Sequence, residues 1–440
     1  MPCHCTRQTT SRRALTTSHE TVTPHRYRHS RAIVLALVGA VWPGTALVAQ
    51  EIVVDPNGPV PTLTAALALA QPGDRIVVRT GEYHEPTIVV RQRVEIVGEG
   101  QPVFDGEGDR EVLKIVADSV VVRGLTIRNV GTSYLEDRAG IRIEDARGCQ
   151  VLENDLSNTF FAIYLARVSD CRIADNRVQG LLGTESGTGN AIHLYSSTDI
   201  LVERNLLQGH RDGIYMEFVR GAVIRGNESR GNRRYGLHFM FSDHCEYRDN
   251  IFAENGAGVA VMYTKDVTMV SNTFERNWGS AAFGLLLKEI TDSRIEDNRF
   301  VGNTVGLYGE GANRIEVIHN RFEQNGWAVR LLGSSEDNVF RRNMFAGNAF
   351  DVTTNSRQTS SRFVENYWDR YTGYDLDRDG YGDVPFRPVR LFSVLVERHE
   401  PALILLRSLF VDLLDLAEQV LPVLTPELLV DQRPLIRWEG

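Results

Sequence analysis

The chain has 440 residues, 48 of them Lys or Arg and 57 Asp or Glu. Without the six arginines and one glutamate of residues 1–49, 42 basic and 56 acidic residues remain, a net charge of −14. With lysine only at 114, 265 and 288, such a surface excludes nucleic acid and anionic lipid as natural partners.

Residues 1–49 read as a secretory signal peptide. Arg26, Arg28 and Arg31 precede an apolar run from Ala32 to Val41, and Pro43-Gly44 breaks it. Arg12-Arg13 lies too far from that run for a twin-arginine signal. The expected location is therefore the periplasm. Cys3 and Cys5 leave with the leader. Cys149, Cys171 and Cys245 remain, so at most one internal disulfide is possible and the fold does not rest on a disulfide framework. These three share a column that is otherwise small and apolar, which reads as packed thiols.

Residues 51–100 begin a solenoid. Thr62 to Ala70 suits a short amphipathic helix between Pro61 and Pro72-Gly73, with strands expected over Arg75–Arg79, Thr87–Val90 and Val94–Val97. The helix is expected to act as a lid over the open end of a strand stack.

From Asn129 onward an Asn recurs at 154, 176, 205, 227, 250, 272, 298, 320, 343 and 366, mostly 22 or 23 residues apart. A second Asn follows at 232, 255, 277, 303, 325 and 348. Short strands, turns and a period near 22 mean a parallel β-solenoid of about 10–11 coils over residues 50–390. Coils stack about 4.8 Å apart, so identical residues form ladders, and a stacked Asn passes its amide hydrogen bond to the next coil. Longer spacings mark insertions near Leu182–Gly189 and Ser280–Phe283.

Past Phe363 the repeat ends. Asp375, Asp377, Asp379 and Asp383, with Gly380 between them, match part of a calcium loop, although Phe386 stands where its Glu belongs. A Gly/Asp-rich turn is the alternative. Residues 391–440 read as a helical extension. Pro401 to Leu421 has an apolar side that includes Leu406, Leu409, Phe410 and Leu413, and a charged side with Arg407, Asp412, Asp415 and Glu418. That apolar side either packs on the end of the solenoid or docks a partner.

Aligning the coils on the residue before their longest strand gives phrases such as Gly213-Ile-Tyr-Met-Glu, Gly236-Leu-His-Phe-Met and Gly258-Val-Ala-Val-Met. Side chains alternate along a strand. The apolar second and fourth positions, Met216 among them, fill the interior. The third and fifth point outward and carry Tyr164, His193, Tyr195, Tyr215, Glu217, His238, Met240, Met262, Lys288, Tyr308 and Glu310. Met240 and Met262 stack one coil apart on this wet face, with His238 two residues from Met240. Thioether and imidazole are soft ligands that suit Cu(I), and His193 and Glu217 lie within two coils. An apolar Met/Tyr ridge for a protein partner is an equally consistent reading. A carbohydrate-binding or carbohydrate-cleaving face is the third. Glu217 and Glu310 are about four coils, or roughly 19 Å, apart, too far for paired carboxylate chemistry, so no enzyme is expected.

Gly236-Leu-His-Phe-Met-Phe-Ser, Gly284-Leu-Leu-Leu-Lys-Glu-Ile, Asn325-Gly-Trp-Ala, Phe350-Asp-Val-Thr-Thr-Asn, Asn366-Tyr-Trp-Asp and Leu424-Thr-Pro-Glu-Leu-Leu resemble the NosD family of nitrous oxide reductase maturation proteins. The resemblance covers nearly all of the mature chain. It implies an all-β, right-handed parallel β-helix in the periplasm. It also implies an ABC ATPase and a membrane permease as partners, with copper delivered from a donating chaperone toward the copper–sulfide centre of nitrous oxide reductase. The copper ligands themselves, His238, Met240, Met262, His193 and Glu217, are read from the outward face and not from the family.

Overall fold

The structure, a computed structural model, describes residues 49–133, 135–181, 188–279, 282–356, 360–421 and 429–438. The expected leader lies outside these residues except for Ala49, as do most of the 182–189 insertion and all but the last residue of the 424–429 phrase.

Each coil is built from three short strands. In one coil these are Val223–Arg225, Glu228–Arg230 and Tyr235–Met240, and the chain turns at Gly226-Asn227 and again at Gly231-Asn232. Equivalent strands pair in parallel into three sheets of 14, 13 and 12 strands, a β-solenoid of about 13 turns. The Asn count falls short of this because the first coils turn without the ladder Asn. Leu125, for instance, occupies the place that Asn154 takes one coil later and donates its N–H to Asn154 Oδ1 at 3.0 Å.

The first ladder therefore starts at Asn154. Asn129 belongs to the other turn, where it has a positive φ of 56° and accepts from Asn158 Nδ2 at 2.7 Å. From Asn176 to Asn366 each Oδ1 accepts both the N–H and the Nδ2 of the Asn one coil earlier, at about 3 Å, as with Asn298 toward Asn272 and Asn320 toward Asn298. Each Nδ2 also reaches a carbonyl of the coil before, as Asn298 does to Met269 O at 2.8 Å. Buried amides are thus fully used, which is the condition for burying them at all. The second ladder runs from Asn232 to Asn348. Inside, Phe252, Phe274, Phe300, Phe322, Phe345 and Trp368 stack coil on coil with centroids 4.2 to 5.7 Å apart. Cys149, Cys171 and Cys245 are buried free thiols.

Both ends are closed. Helix α1, Leu63–Leu69, puts Leu63 and Ala66 into the core. Its first turn is held by Thr62 Oγ1 on Ala65 N and by Glu85, whose two oxygens accept from Leu63 N and Thr64 N at 2.8 and 2.9 Å. These are the N–H groups that a helix start leaves without partners. At the other end the ladder finishes on Asp431, which is 0% exposed. Its Oδ2 accepts from Asn366 N, Asn366 Nδ2 and Trp368 Nε1 at 2.9, 3.0 and 3.2 Å. Asp431 and Leu435 pair with Phe363 and Tyr367 of the last coil as a further coil would.

Residues 391–420 are mostly helical, but not as one helix. Helix α2, Leu391–Arg398, is followed by a 3-10 turn, Glu400–Leu405, and helix α3, Leu409–Val420. Arg407, with φ 67°, breaks the run expected from Pro401 to Leu421. Helix α3 also faces the other way from a packing helix. Val411 and Glu418 are its buried residues, with Val411 against Phe350, Phe392 and Val396. Glu418 accepts from Leu391 N at 2.8 Å, and Asp415 pairs with Arg390. Leu409 (73% exposed), Phe410, Leu413, Leu416 and Val420 are left on the outside. Among the described residues no helix is long and apolar enough to cross a membrane.

Candidate functional site

The 12-stranded sheet carries the face singled out above. Its register places Arg142, Tyr164, His193, Tyr215, His238, Ala260, Leu286 and Tyr308 in one outward column. The next column runs Glu144, Ala166, Tyr195, Glu217, Met240, Met262, Lys288 and Glu310. Met240 and Met262 are direct partners on neighbouring strands, both half-buried on the outside of the barrel. Met216 is in the core.

His238 stands beside this pair, under a cover formed by Arg234 and Tyr235, and is only 5% exposed. Its Nδ1 lies 3.3 Å from Arg234 Nη2 and 3.8 Å from Asp212 Oδ2. Its Nε2 is buried with no hydrogen-bond partner among the described residues. Asp212 is wholly buried, which pushes its carboxyl up. The hydrogen bonds from His238 and Arg234 outweigh burial and hold it below the usual carboxylate range. Arg234 can only donate, so a neutral ring that accepts its N–H at Nδ1 carries the proton on Nε2; a metal bound through Nε2 would need that proton lost or moved to Nδ1, toward Asp212.

Tyr215 is the neighbour that sequence reasoning did not weigh. Its hydroxyl is 3.6 Å from Met240 Sδ and 3.2 Å from Glu217 Oε2, so its one proton serves either. Its ring also separates His238 from His193, with centroids 5.0 and 4.7 Å away. His193 is stacked between Tyr164 and Tyr215, and its Nδ1 is 3.0 Å from Asn190 Nδ2. Burial and then the Arg211 charge push its pKa down to about 3. His193 is therefore not part of the cluster formed by Met240, Met262 and His238, because the Tyr215 ring fills the space between them. Glu217 is adjacent to Met240 in its column. Lys288 and Glu310 pair with each other at 3.4 Å.

A second missed feature borders the methionines. Phe218, Phe241 and Tyr263 each come one residue after an outward position, Glu217, Met240 and Met262. Their rings stack at 5.3 and 5.2 Å and stay about half exposed. Their placement at positive φ, near 50°, turns them out of the sheet. The signal was present in the sequence as an aromatic one residue after each outward position.

Asp375, Asp377 and Asp379 come within reach of one cation, whereas Asp383 turns its carboxylate to Leu376 N at 2.7 Å. Asp375 already accepts from Arg378 N and Gly380 N, at 2.6 and 3.0 Å. Phe386 packs on Trp368. This arrangement is that of a self-satisfied turn, with three of the four expected ligands gathered.

A family model described as "Periplasmic copper-binding protein (NosD)" matches residues 112–237 and 183–375. The chain belongs to the NosD family. A "Probable ABC transporter binding protein NosD" of Pseudomonas aeruginosa is 29% identical over 404 residues, 85% of this chain and 93% of that one. Its namesake from Stutzerimonas stutzeri is 28% identical over 380 residues, covering 81% and 85%. Among solved structures, a family 28 exopolygalacturonase of Yersinia enterocolitica superposes with a TM-score of 0.53 at 10% identity, over 72% of this chain and 78% of that one. PfbA, a surface adhesin of Streptococcus pneumoniae, gives 0.53 at 9% identity, over 74% and 91%. An enzyme and an adhesin on one scaffold show the shared β-helix and nothing of its use.

Proposed function

We propose that this NosD-family chain is a periplasmic, non-enzymatic accessory subunit of an ABC assembly that takes Cu(I) as cargo for the copper–sulfide centre of nitrous oxide reductase. Met240 and Met262 offer two thioethers from neighbouring coils, and His238 offers Nε2. The observation that carries the reading is the buried, unpartnered Nε2 beside a paired outward thioether set. Soft sulfur with one imidazole favours Cu(I) over the hard cations. Copper at Nε2 would require the Nδ1–H tautomer, with that proton turned toward Asp212, and Glu217 and Tyr215 would sit at the edge of the site. A copper-donating chaperone and the reductase would meet the open face, which the Phe218–Phe241–Tyr263 stripe borders. The exposed side of α3, Leu409, Phe410 and Leu413 with the half-buried Leu406, is the part we assign to the membrane permease and its ATPase.

The test is a Cu(I) titration of the mature protein against a competing chelator. The parent is expected to hold one Cu(I), and the triple variant Met240→Ala, Met262→Ala, His238→Ala to lose at least tenfold in affinity. Equal binding by both would overturn the site. A carbohydrate-active face has less support, because Lys288 and Glu310 neutralise each other.

A further inference from the structure

The C-terminal tail does more than close the ladder. Leu435 pairs with Tyr367, so Arg437 and Trp438 run on beside the outer surface of the 13-stranded sheet. Between tail and sheet lies a cavity of about 700 Å³, lined by Arg299, Arg321, Arg342, Arg437, Trp438 and Tyr381 among others. Four arginines in one cavity run against a chain that is acidic overall.

Two of the four are neutralised. Arg299 donates to Glu323 at 2.8 Å and Arg342 to Glu365 at 2.9 Å. Arg321 and Arg437 have no acidic partner among the described residues. Arg321 and Arg299 are direct partners on adjacent strands, and Glu323 balances only one of the two charges. Trp438 adds a neutral donor: its Nε1 is buried and has no partner, and its ring takes the Arg321 guanidinium at 5.8 Å. The single acid in the lining, Asp297, faces His319 at 3.9 Å. Arg321, Arg437 and Trp438 Nε1 thus leave donors without an acceptor in this cavity.

We propose that this cavity is an oxyanion site for a small organic anion, a carboxylate or a phosphate ester. Arg321 and Arg437 grip its charged group as planar forks, Trp438 Nε1 donates to it, and its body lies along the Trp438 ring. The volume suits a ligand larger than an inorganic ion. The site is remote in the fold from the Met240–Met262 face, being on a different sheet, and does not depend on the copper reading.

Citrate and inorganic phosphate are the probes, titrated calorimetrically into the mature protein in a low-chloride buffer. Binding of either by the parent is expected, with at least a tenfold loss in Arg321→Ala and in Arg437→Ala. Arg321→Lys, which keeps the charge but not the fork, is expected to recover only part of it. Trp438→Phe should weaken citrate more than phosphate if the body stacks there. Arg204→Ala, at an arginine paired with Asp175 several coils away along the same edge, is the control and should bind as the parent does. Stronger citrate binding points to a carboxylate ligand, and stronger phosphate binding to a phosphate ester. Absence of binding by the parent, or undiminished binding by both arginine variants, would overturn the proposal.

Discussion

Asn298 shows what one ladder residue does. Its Oδ1 takes two donors from Asn272, and its Nδ2 serves Met269 O and Asn320 Oδ1. Asn298→Ala leaves several buried polar groups unpaired at once, each costing about 1–3 kcal/mol. Denaturant unfolding is expected to show a loss of about 3 kcal/mol or more. His210 is the opposite case. It occupies the start of the second ladder, donates its N–H to Asn232 Oδ1 at 3.1 Å, and buries both ring nitrogens without partners. Burial pushes its pKa down to about 4, as it pushes that of His193 to about 3. An unfolded His titrates near 6.5. Between those values the unfolded chain binds protons that the folded chain refuses, so stability is full above pH 6.5 and falls as the pH drops toward 4. The melting temperature should fall between pH 7 and 5, and His210→Asn, which extends the ladder, should flatten that fall. An unchanged slope would contradict this account.

Among the elements, α3 takes the second of the two orientations its spacing allowed, with its leucines outside. Helical spacing reveals that a helix has an apolar side, but not which way that side faces. Arg390 decides it, since Asp415 and Glu418 are drawn inward to that guanidinium and to the start of α2. Leu413→Ser should therefore leave thermal stability within about 0.5 kcal/mol, whereas Val411→Ala should cost about 2 kcal/mol. The reverse order would mean that the helix packs through its leucines. Leu413→Ser should also weaken recovery of a co-expressed permease and ATPase, the outcome that the docking assignment needs.

Across the whole molecule, what could be read from the sequence is what repeats. The stacking of Asn on Asn and the alternation of inward and outward residues gave the solenoid, its period and the pairing of Met240 with Met262. Single events did not show. Asn129 was placed in the wrong turn because both turns use Asn. The first coils went uncounted because Leu125 and its equivalents turn the chain without one. Asp431 caps the ladder as one residue with no counterpart among the other described coils. At the candidate site, alternation put His193, Tyr215 and His238 in one column, but only packing shows how closely the Tyr215 ring fills the space between the two imidazoles.

The copper proposal depends on two thioethers and one imidazole meeting at one ion. X-ray absorption of the Cu(I)-loaded mature protein counts those atoms directly. The expected spectrum has two sulfur neighbours and one nitrogen, falling to one sulfur in Met262→Ala and to sulfur alone in His238→Ala. A parent spectrum of nitrogen and oxygen neighbours, or one that neither substitution changes, would contradict the account.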